Sequence, residues 1–548
     1  MRERTLKSVF LYIFLGLLPW LASDVVSAQE TQAVAPLEAP ANPAGGVPST
    51  PTRIVSFDIQ GNTLIGSDEI YAVIAPLIPT FRNGGETTLV QLQKVADAVT
   101  DLYRQRGYFL AKAYIPEQEV GAGGTLQVAV LEGAIGEVKV EGNQFYSSPF
   151  IQNHFARLQA RNAVHGRSLE RSLLLLNDYP DLKATGVLHA GSTPGTTDLV
   201  VQVQDRRPLH LSLDYNNFGS KLVGKHQYGL KLSGGNLLGE GSDFSLHGVV
   251  GSESAKQPYW GASWGIPVGS DGTRVNLAYS KGIFDVGGEL AALGITSETE
   301  TWGVAAVHPF KKSQISNLTV ELGLDGKDAR QFLFGSVPLS DDKTRLIRAG
   351  LNYDWMNATS KNIVAFSLSH GLGDIRHGAP TPSRFGADNL FDKGVLQAMR
   401  FQRFTDAISL VMRGVGQVST DALVVGEQFV LGGPNSVRGY RAGEFLGDNG
   451  YSLHAEARVA PFDDKGFFQM AFFVDQGEAF LKNAPDGVVD DVALSGAGFG
   501  LHLNLPYAPQ SKNLHKNFSL RMEMGYPFRD GPITKDRPVY YVSLVASL

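Results

Sequence analysis

Val437-Arg438-Gly439-Tyr440 sets a permanent cation and an aromatic ring beside Gly432-Gly433-Pro434-Asn435, residue types that make a tight hairpin tip. The stretch lies in a long Gly-rich connection, roughly 417–450, between two segments that alternate like strands. Downstream, Phe473-Val474-Asp475-Gln476-Gly477 ends another strand-like run and offers a carboxylate, Asp475, as a partner for Arg438. The chemistry open to such a pair is anchoring: an ion pair that ties two distant segments together. Catalytic sets are not apparent. The chain has no P-loop and no His-Glu-x-x-His string, and its 12 histidines are scattered. Single cases such as His247 and His502 read as polar strand residues. No catalytic residue, metal site or cofactor is expected, and the chain reads as a non-enzyme.

The elements that position these residues are strands. After Pro208 helical periodicity gives way to strict alternation with Gly-rich turns. Leu209, Leu211, Leu213 and Tyr215 share one face, with His210, Ser212, Asp214 and Asn216 on the other. Tyr451, Leu453, Ala455, Ala457 and Val459 oppose Ser452, His454, Glu456 and Arg458. Phe518, Leu520, Met522, Met524 and Tyr526 oppose Ser519, Arg521, Glu523 and Gly525. Aromatic residues at the ends of apolar faces suit the interface girdles of a transmembrane barrel, and mixed charges suit its wet lumen. Turns near Gly239-Glu240-Gly241, Pro267, Pro309, Pro461 and Pro506, each read as following a strand end, space the strands. The interval from 309 to 461 holds three strand pairs. Seven turns on one side imply about sixteen strands, an allowed even number. By parity Phe468, Met470, Phe472 and Val474 face lipid, so Phe473 and Asp475 face the lumen on the thirteenth strand. Glu456 also faces inward and is a second candidate for Arg438. The long connection falls between strands eleven and twelve. The last strand runs from Val539 to Leu548.

The N-terminal part is different. Arg2, Arg4 and Lys7, an apolar run from Val9 to Ala22 and Val26-Ser27-Ala28 read as a signal peptide over 1–28. Five prolines in 29–52 mark a linker and disfavour a long helix there. From Arg53 the order is β-α-α-β-β: a strand through Val55, Phe57 and Ile59, a helix capped by Ser67, and a second helix from Thr88 to Gly107. Strands at 110–115 and 126–131 follow. The unit restarts 81 positions later, where Val140-Glu141-Gly142-Asn143 echoes Ile59-Gln60-Gly61-Asn62. Its helices are expected near 150–158 and from Ser168, its strands near 186–189 and 199–204. The domains are therefore 53–133, 134–207 and 208–548. A net charge of −6 gives no nucleic-acid footprint, and the absence of cysteine excludes disulfides.

The two α/β copies resemble POTRA domains. Tyr103-Arg104-Gln105-Arg106-Gly107-Tyr108 followed by Ala113-Tyr114-Ile115-Pro116-Glu117-Gln118 looks like the first POTRA of two-partner-secretion transporters. These are the haemolysin/adhesin secretion-activation members of the Omp85 superfamily. Val437-Arg438-Gly439-Tyr440 and Phe473-x-Asp475-x-Gly477 resemble that family's two barrel motifs. The resemblance implies a loop tip folded back into the lumen and received by the second motif. It also implies an outer-membrane translocator whose periplasmic POTRA domains bind an unfolded exoprotein through its N-terminal secretion domain. Other implied partners are outer-membrane lipid and the barrel-assembly machinery. Strand addition is expected near Leu102, Tyr103, Tyr108, Tyr114 and Ile115. Family members often carry a plug helix ahead of the first POTRA, and they usually end in an aromatic residue. The prolines and Leu548 depart from both patterns. The alternatives are an Omp85-type assembly factor, which typically carries more POTRA copies, a passive porin, and a barrel enzyme.

Overall fold

The structure, a computed structural model, describes residues 54–77, 89–119, 124–219, 224–252, 258–373, 382–384, 386–462, 467–506, 517–535 and 537–547. The signal and linker assignments, the Thr88 cap and Leu548 lie outside the described residues. Gln29–Arg207 and Pro208–Leu548 group into separate units.

In the first unit, β1 (Ser56–Gln60), α1 (Ser67–Ile74), α2 (Leu89–Gln105), β2 (Lys112–Tyr114) and β3 (Thr125–Leu131) form one layer pair. The sheet order is β1-β3-β2, with β1 parallel to β3. Helical spacing brings Ile70, Ile74, Val95, Ala96, Val99 and Tyr103 onto the sheet. α2 ends in a Schellman motif: Gly107 sits at φ +89°, Tyr108 N donates to Tyr103 O and Gly107 N to Arg104 O, both at 2.9 Å. Two expectations need correction. Gly66, not Ser67, is the N-cap of α1, and Ser67 is its first residue. The Asn62 amide holds the Ser67 hydroxyl at 3.1 Å, so that side chain is not available as a cap. The strand expected over 110–115 is only Lys112–Tyr114, because Phe109 and Leu110 pack into the core of the next copy.

That copy comprises β4 (Ala134–Glu141), α3 (Ser148–Asn153), α4 (Ala156–Gln159), α5 (Gly166–Leu176), β5 (Leu182–Ala190) and β6 (Thr196–Asp205), in sheet order β4-β6-β5. The expected single helix over 150–158 is broken into α3 and α4 at His154-Phe155. The start of α5 is set by His165, whose ring accepts from Arg167 N at 3.1 Å, rather than by Ser168.

The echoed tetrapeptides do the same work twice. Gly61 and Gly142 sit at φ +81° and +87°, and a Cβ on either would collide with a backbone carbonyl of the neighbouring strand. Asn62 and Asn143 then close the loop onto Ile65 O and Tyr146 O at 3.0 and 2.7 Å. A carboxylate from the last strand region receives the loop's amides in each copy. Glu132 takes Thr63 N and Leu64 N, and Asp205 takes Phe145 N and Tyr146 N, at 2.7–2.9 Å. The copies meet where Gly166 N donates to Gly107 O (2.9 Å) and Tyr108 packs edge-on against His165 at 5.4 Å.

The second unit is a closed barrel of sixteen antiparallel strands. They are β7 (Leu209–Asn216), β8 (Gln227–Gly235), β9 (Asp243–Gly251), β10 (Tyr259–Pro267), β11 (Arg274–Asp285), β12 (Thr296–Lys311), β13 (Ser316–Leu333), β14 (Val337–Met356), β15 (Ser360–Gly371), β16 (Asp392–Arg403) and β17 (Ile408–Ser419). After an insertion holding the short pair β18 (Phe429–Leu431) and β19 (Phe445–Gly447) come β20 (Asn449–Val459), β21 (Phe468–Phe480), β22 (Asp491–Pro506), β23 (Asn517–Pro527) and β24 (Val539–Ser547). Seven connections lie on the side of the chain ends, and the count of sixteen agrees with the sequence reading. Of the turn prolines only Pro461 lies past a strand end: Pro267 and Pro506 are the last residues of β10 and β22, and Pro309 lies inside β12 at a register shift, where its missing N–H is tolerated. Parity also holds. Phe472 and Val474 are 48% and 51% exposed on the lipid face, while Phe473 and Asp475 are buried inside. β24 closes onto β7 through Ser543–Ser547 against Ser212–Asn216. Among the described residues no helix is long and apolar enough to cross a membrane.

Candidate functional site: the inward loop and its anchors

The segment between β17 and β20 does not leave the barrel. β18 and β19 pair as a hairpin, and Phe429, Leu431, Val437, Tyr440 and Phe445 form an apolar cluster with Ala479 and Leu494 of the barrel wall. At the tip Gly433 N donates to Val437 O (3.1 Å) and Ser436 N to Gly433 O (3.1 Å), a compact double turn. Arg413 from β17 donates to Asn435 O at 3.0 Å. Nearly all of the loop's polar groups are buried, so each needs a partner.

Arg438 has partners on three strands. Its Nε and Nη2 donate to the two oxygens of Asp475 (β21) at 2.7 and 2.9 Å, a bidentate geometry, and its backbone N–H adds a third bond at 3.0 Å. Nη1 donates to Glu456 (β20) at 2.5 Å and to Glu523 (β23) at 3.1 Å. The guanidinium lies 3.5 Å from the ring centroid of Phe473. Arg438 and Asp475 are 2% and 1% exposed. The two candidates for Arg438, Asp475 and Glu456, are therefore both engaged, and Glu523 is a third that the sequence reading placed in the lumen but did not connect. Each carboxylate has a further partner: Arg458 lies 2.7 Å from the Glu456 oxygen that Arg438 leaves free, whereas His454 at 3.2 Å from Asp475, and Arg521 and His502 at 2.7 and 3.2 Å from Glu523, share the oxygen that Arg438 already uses.

The rest of the motif is fixed by backbone contacts. Gly439 sits at φ +100°, donates to the Tyr541 hydroxyl (3.0 Å) and lies against bare backbone of β23; Tyr541 in turn donates to Tyr440 O. The Tyr440 hydroxyl reaches Ser495 O and Arg529 O, each at 3.0 Å. Val437 is fully buried against Gly477, where a Cβ would come within 3.0 Å of it. Three further carboxylates hold the loop's flanks. Glu427 meets Lys327 and Lys393 at 3.0 and 2.5 Å. Asp448 meets Arg384 and accepts from Leu423 N (2.9 Å) and Lys482 N (2.6 Å). Glu444 accepts from Ile533 N, Thr534 N and the Thr534 hydroxyl at 2.5–2.6 Å.

The POTRA residues singled out from sequence do not form one surface. Leu102 and Tyr103 belong to the core of their domain, on the inward face of α2, and cannot meet a client there; this corrects the expectation. Burial pushes the Tyr103 phenol pKa up, reinforced by its hydrogen bond to Glu132 at 3.0 Å. Tyr108 sits at the joint with the second copy, Ile115 is half-buried, and Tyr114 is 38% exposed on the edge strand β2. One string escaped the sequence reading. Gly261-Ala262-Ser263-Trp264-Gly265 spells Gly-x-Ser-x-Gly, but it runs within the extended strand β10 rather than across a strand–turn–helix elbow, so it carries no nucleophile geometry.

Comparisons with known proteins agree with this architecture. The model of the haemolysin secretion/activation protein family ShlB/FhaC/HecB matches residues 195–503, more than half of the chain, and that of the ShlB-type POTRA domain matches 52–133. The heme/hemopexin transporter protein HuxB of Haemophilus influenzae is 22% identical over 465 residues, covering 83% of this chain and 81% of HuxB. The outer membrane transporter CdiB of Escherichia coli is 24% identical over 499 residues, covering 86% of this chain and 79% of CdiB. The solved structure of Escherichia coli CdiB superposes with a TM-score of 0.72 at 22% identity, covering 93% of each chain. The chain belongs to the haemolysin secretion/activation protein family ShlB/FhaC/HecB, as an outer-membrane β-barrel transporter with two periplasmic POTRA domains.

Proposed function

We propose that the POTRA pair, 53–133 and 134–207, captures an unfolded secreted protein by its N-terminal secretion domain, and that the barrel, 208–548, passes it outward through the lumen. The observation that carries this reading is the charge-anchored loop inside the bore. A passive pore gains nothing from a buried arginine shared among carboxylates of three wall strands. A conduit that must stay shut between clients does. The motif residues Val437, Arg438, Gly439 and Tyr440, with Phe473, Asp475, Gly477 and Glu456, would hold the loop in its resting place. Client capture falls to the exposed sheet edges, where an extended segment satisfies its backbone; Tyr114 on β2 offers such an edge, and Leu102 and Tyr103 support it from beneath. No nucleotide is required, since client folding outside removes the chain from the back-diffusing pool. The protein acts without catalysis or cofactor. It sits in outer-membrane lipid, placed there by the barrel-assembly machinery, and takes no nucleic acid.

The relatives HuxB and CdiB are named as transporters, which favours export over barrel assembly. The test has two arms. The region 53–207 is titrated with the N-terminal segment of a candidate exoprotein, and micromolar binding, roughly −8 kcal/mol, is expected. Appearance of that exoprotein outside the cell is followed with and without the transporter. No binding, together with unchanged secretion, would exclude the export reading for that client.

A further inference from the structure

We infer that Glu427 is the releasable half of a two-point lock on the inward loop, a positioning residue that holds the loop across the outer mouth and lets go when a client passes. This rests on the export reading above. Glu427 closes a single turn, Val425–Glu427, early in the loop. Its two carboxylate oxygens accept from Lys327 on β13 (3.0 Å) and Lys393 on β16 (2.5 Å). The same ammonium groups donate to Gly426 O at 2.6 Å and Glu427 O at 3.3 Å. Around the barrel the order runs β13-β14-β15-β16-β17-β20-β21-β22-β23. The loop is rooted between β17 and β20. The lysines therefore stand on one flank of its root, and the carboxylates that hold Arg438, on β20, β21 and β23, stand on the other.

The polarity is reversed between the flanks. An anion of the loop meets cations of one wall, and a cation of the loop meets anions of the other. A loop that turned the wrong way would put like charges together, so the lock also rejects the wrong placement. The loop lies inside the barrel between its two anchors, and on this proposal a passing polypeptide displaces it at one of them.

The anchors differ in how easily they open. Arg438 is bidentate, stacked on Phe473, bonded through its own backbone and almost without water contact. Glu427 is held by two ammonium groups on flexible stems, whose side chains are 23% and 12% exposed. A lysine ammonium is a strongly hydrated point charge, so it can take up water as it lets go, whereas the arginine fork has no such exit. The Glu427 clamp is the one that yields, and the loop swings about its tip. Asp448 stays beside β20 through Lys482 N, and its bonds to Leu423 N (2.9 Å) and to the Gln428 side chain (3.2 Å) open together with the Glu427 clamp.

The chain has no cysteine, so Glu427→Cys with Lys393→Cys in the full protein gives the only two thiols. Two long side chains separate these positions, and a direct disulfide needs Cα atoms within about 7 Å. A reducible bifunctional thiol reagent is therefore used. Linking is expected to cut export of the client roughly tenfold or more, with recovery on reduction. In parallel, purified Glu427→Gln in planar bilayers is expected to show roughly tenfold more open-pore conductance than the parent, the factor carried by one charge-assisted hydrogen bond. Glu427→Lys is expected to leak, and Lys393→Glu placed beside it to lower the leak again. Export at the unlinked rate by the linked protein would overturn the latch, because a merely structural contact need not open. Parental conductance in Glu427→Gln would overturn it independently, even where the double-cysteine protein fails to assemble. If the parent exports no client, the export reading fails, while the conductance comparison still decides the latch.

Discussion

Replacing Arg438 by alanine tests the tip anchor most directly. The substitution removes four side-chain hydrogen bonds, two to Asp475 and one each to Glu456 and Glu523, and leaves three buried carboxylates facing one another. Breaking a buried pair from one side typically costs about 3–5 kcal/mol. Arg458 and Arg521 remain to neutralise the carboxylates, with His454 and His502 as hydrogen-bond partners, so the low end, about 3 kcal/mol, is the better figure. Asp475→Ala strands the guanidinium with two acceptors instead of three and should cost less than Arg438→Ala. The readout is Ser436→Cys, a buried tip position in a chain without cysteine, labelled by a membrane-impermeant maleimide on intact cells. If labelling follows loop opening, about 3 kcal/mol raises the rate by roughly two orders of magnitude. Coupling to Arg438 in double-mutant cycles should fall in the order Asp475, Glu456, Glu523, because Asp475 takes two side-chain bonds and Glu523 takes one long bond while keeping Arg521 and His502. The Arg438→Ala/Asp475→Ala pair should secrete no worse than the poorer single change. Additive single effects at matched membrane levels, or an unchanged labelling rate in Arg438→Ala, would refute the anchor.

The remaining expectations concern packing, pH and membrane behaviour. Gly525→Ala and Gly496→Ala put a Cβ into the backbone of Gly439 and Arg438, so both should expel the tip and raise Ser436→Cys labelling; Gly416→Ala, which opens onto free space, should not. Equal labelling in all three would remove the close-approach argument. Burial lowers the pKa of His154, against the opposing hydrogen bond to Phe150 O. The folded copy then binds fewer protons than the unfolded chain, so its stability is complete above about pH 6.5 and falls as pH drops below it, by at most about 1.4 kcal/mol per unit. Melting 53–207 at pH 7.5 and 5.5 should show the loss, and His154→Gln should remove most of it; a pH-independent melting point in the parent would exclude it. The mature chain should fractionate with the outer membrane and migrate differently when unheated, and recovery as a soluble monomer without detergent would count against a barrel.

The barrel was readable from sequence because side-chain parity is local. Val474 must face away from Phe473 and Asp475 whatever the rest of the chain does. Turn counting worked for the same reason, even though the turns at 357–359 and 404–407 carry no proline. Which lumen-facing residues meet depends on something else, the heights of strands distant in sequence. Glu523 was visibly an inward carboxylate, yet only the register of β23 against β22 brings it level with Arg438. Lys327 and Lys393 could not be linked to Glu427 at all, since 100 and 34 residues separate them and no motif spans the gap. In the POTRA region the apolar face of α2 was legible, but Leu102 and Tyr103, named for strand addition, lie on that core face rather than on the sheet edge.

The wall that receives the tip explains why one anchor is stiff and the other yields. Gly477 on β21, Gly496 and Gly498 on β22 and Gly525 on β23 share the inward face with the carboxylates. A Cβ on Gly496 or Gly525 would occupy the loop's own backbone, and one on Gly477 would press on Val437 and Leu431 at 3.0 and 2.8 Å. Arg438 and Gly439 therefore lie against bare strand backbone, with no wall side chain between that could turn aside. Such a contact has one good placement and loses most of its bonds on a small shift. On the Glu427 side the loop is met by side chains instead: the two lysine stems, Gln417 donating to Glu427 O at 3.1 Å and the Ser383 hydroxyl accepting from Val425 N at 3.2 Å. An opening stroke that keeps the tip seated and stretches those stems breaks fewer and weaker contacts than one that lifts the tip, so the loop's two ends are built for different tasks.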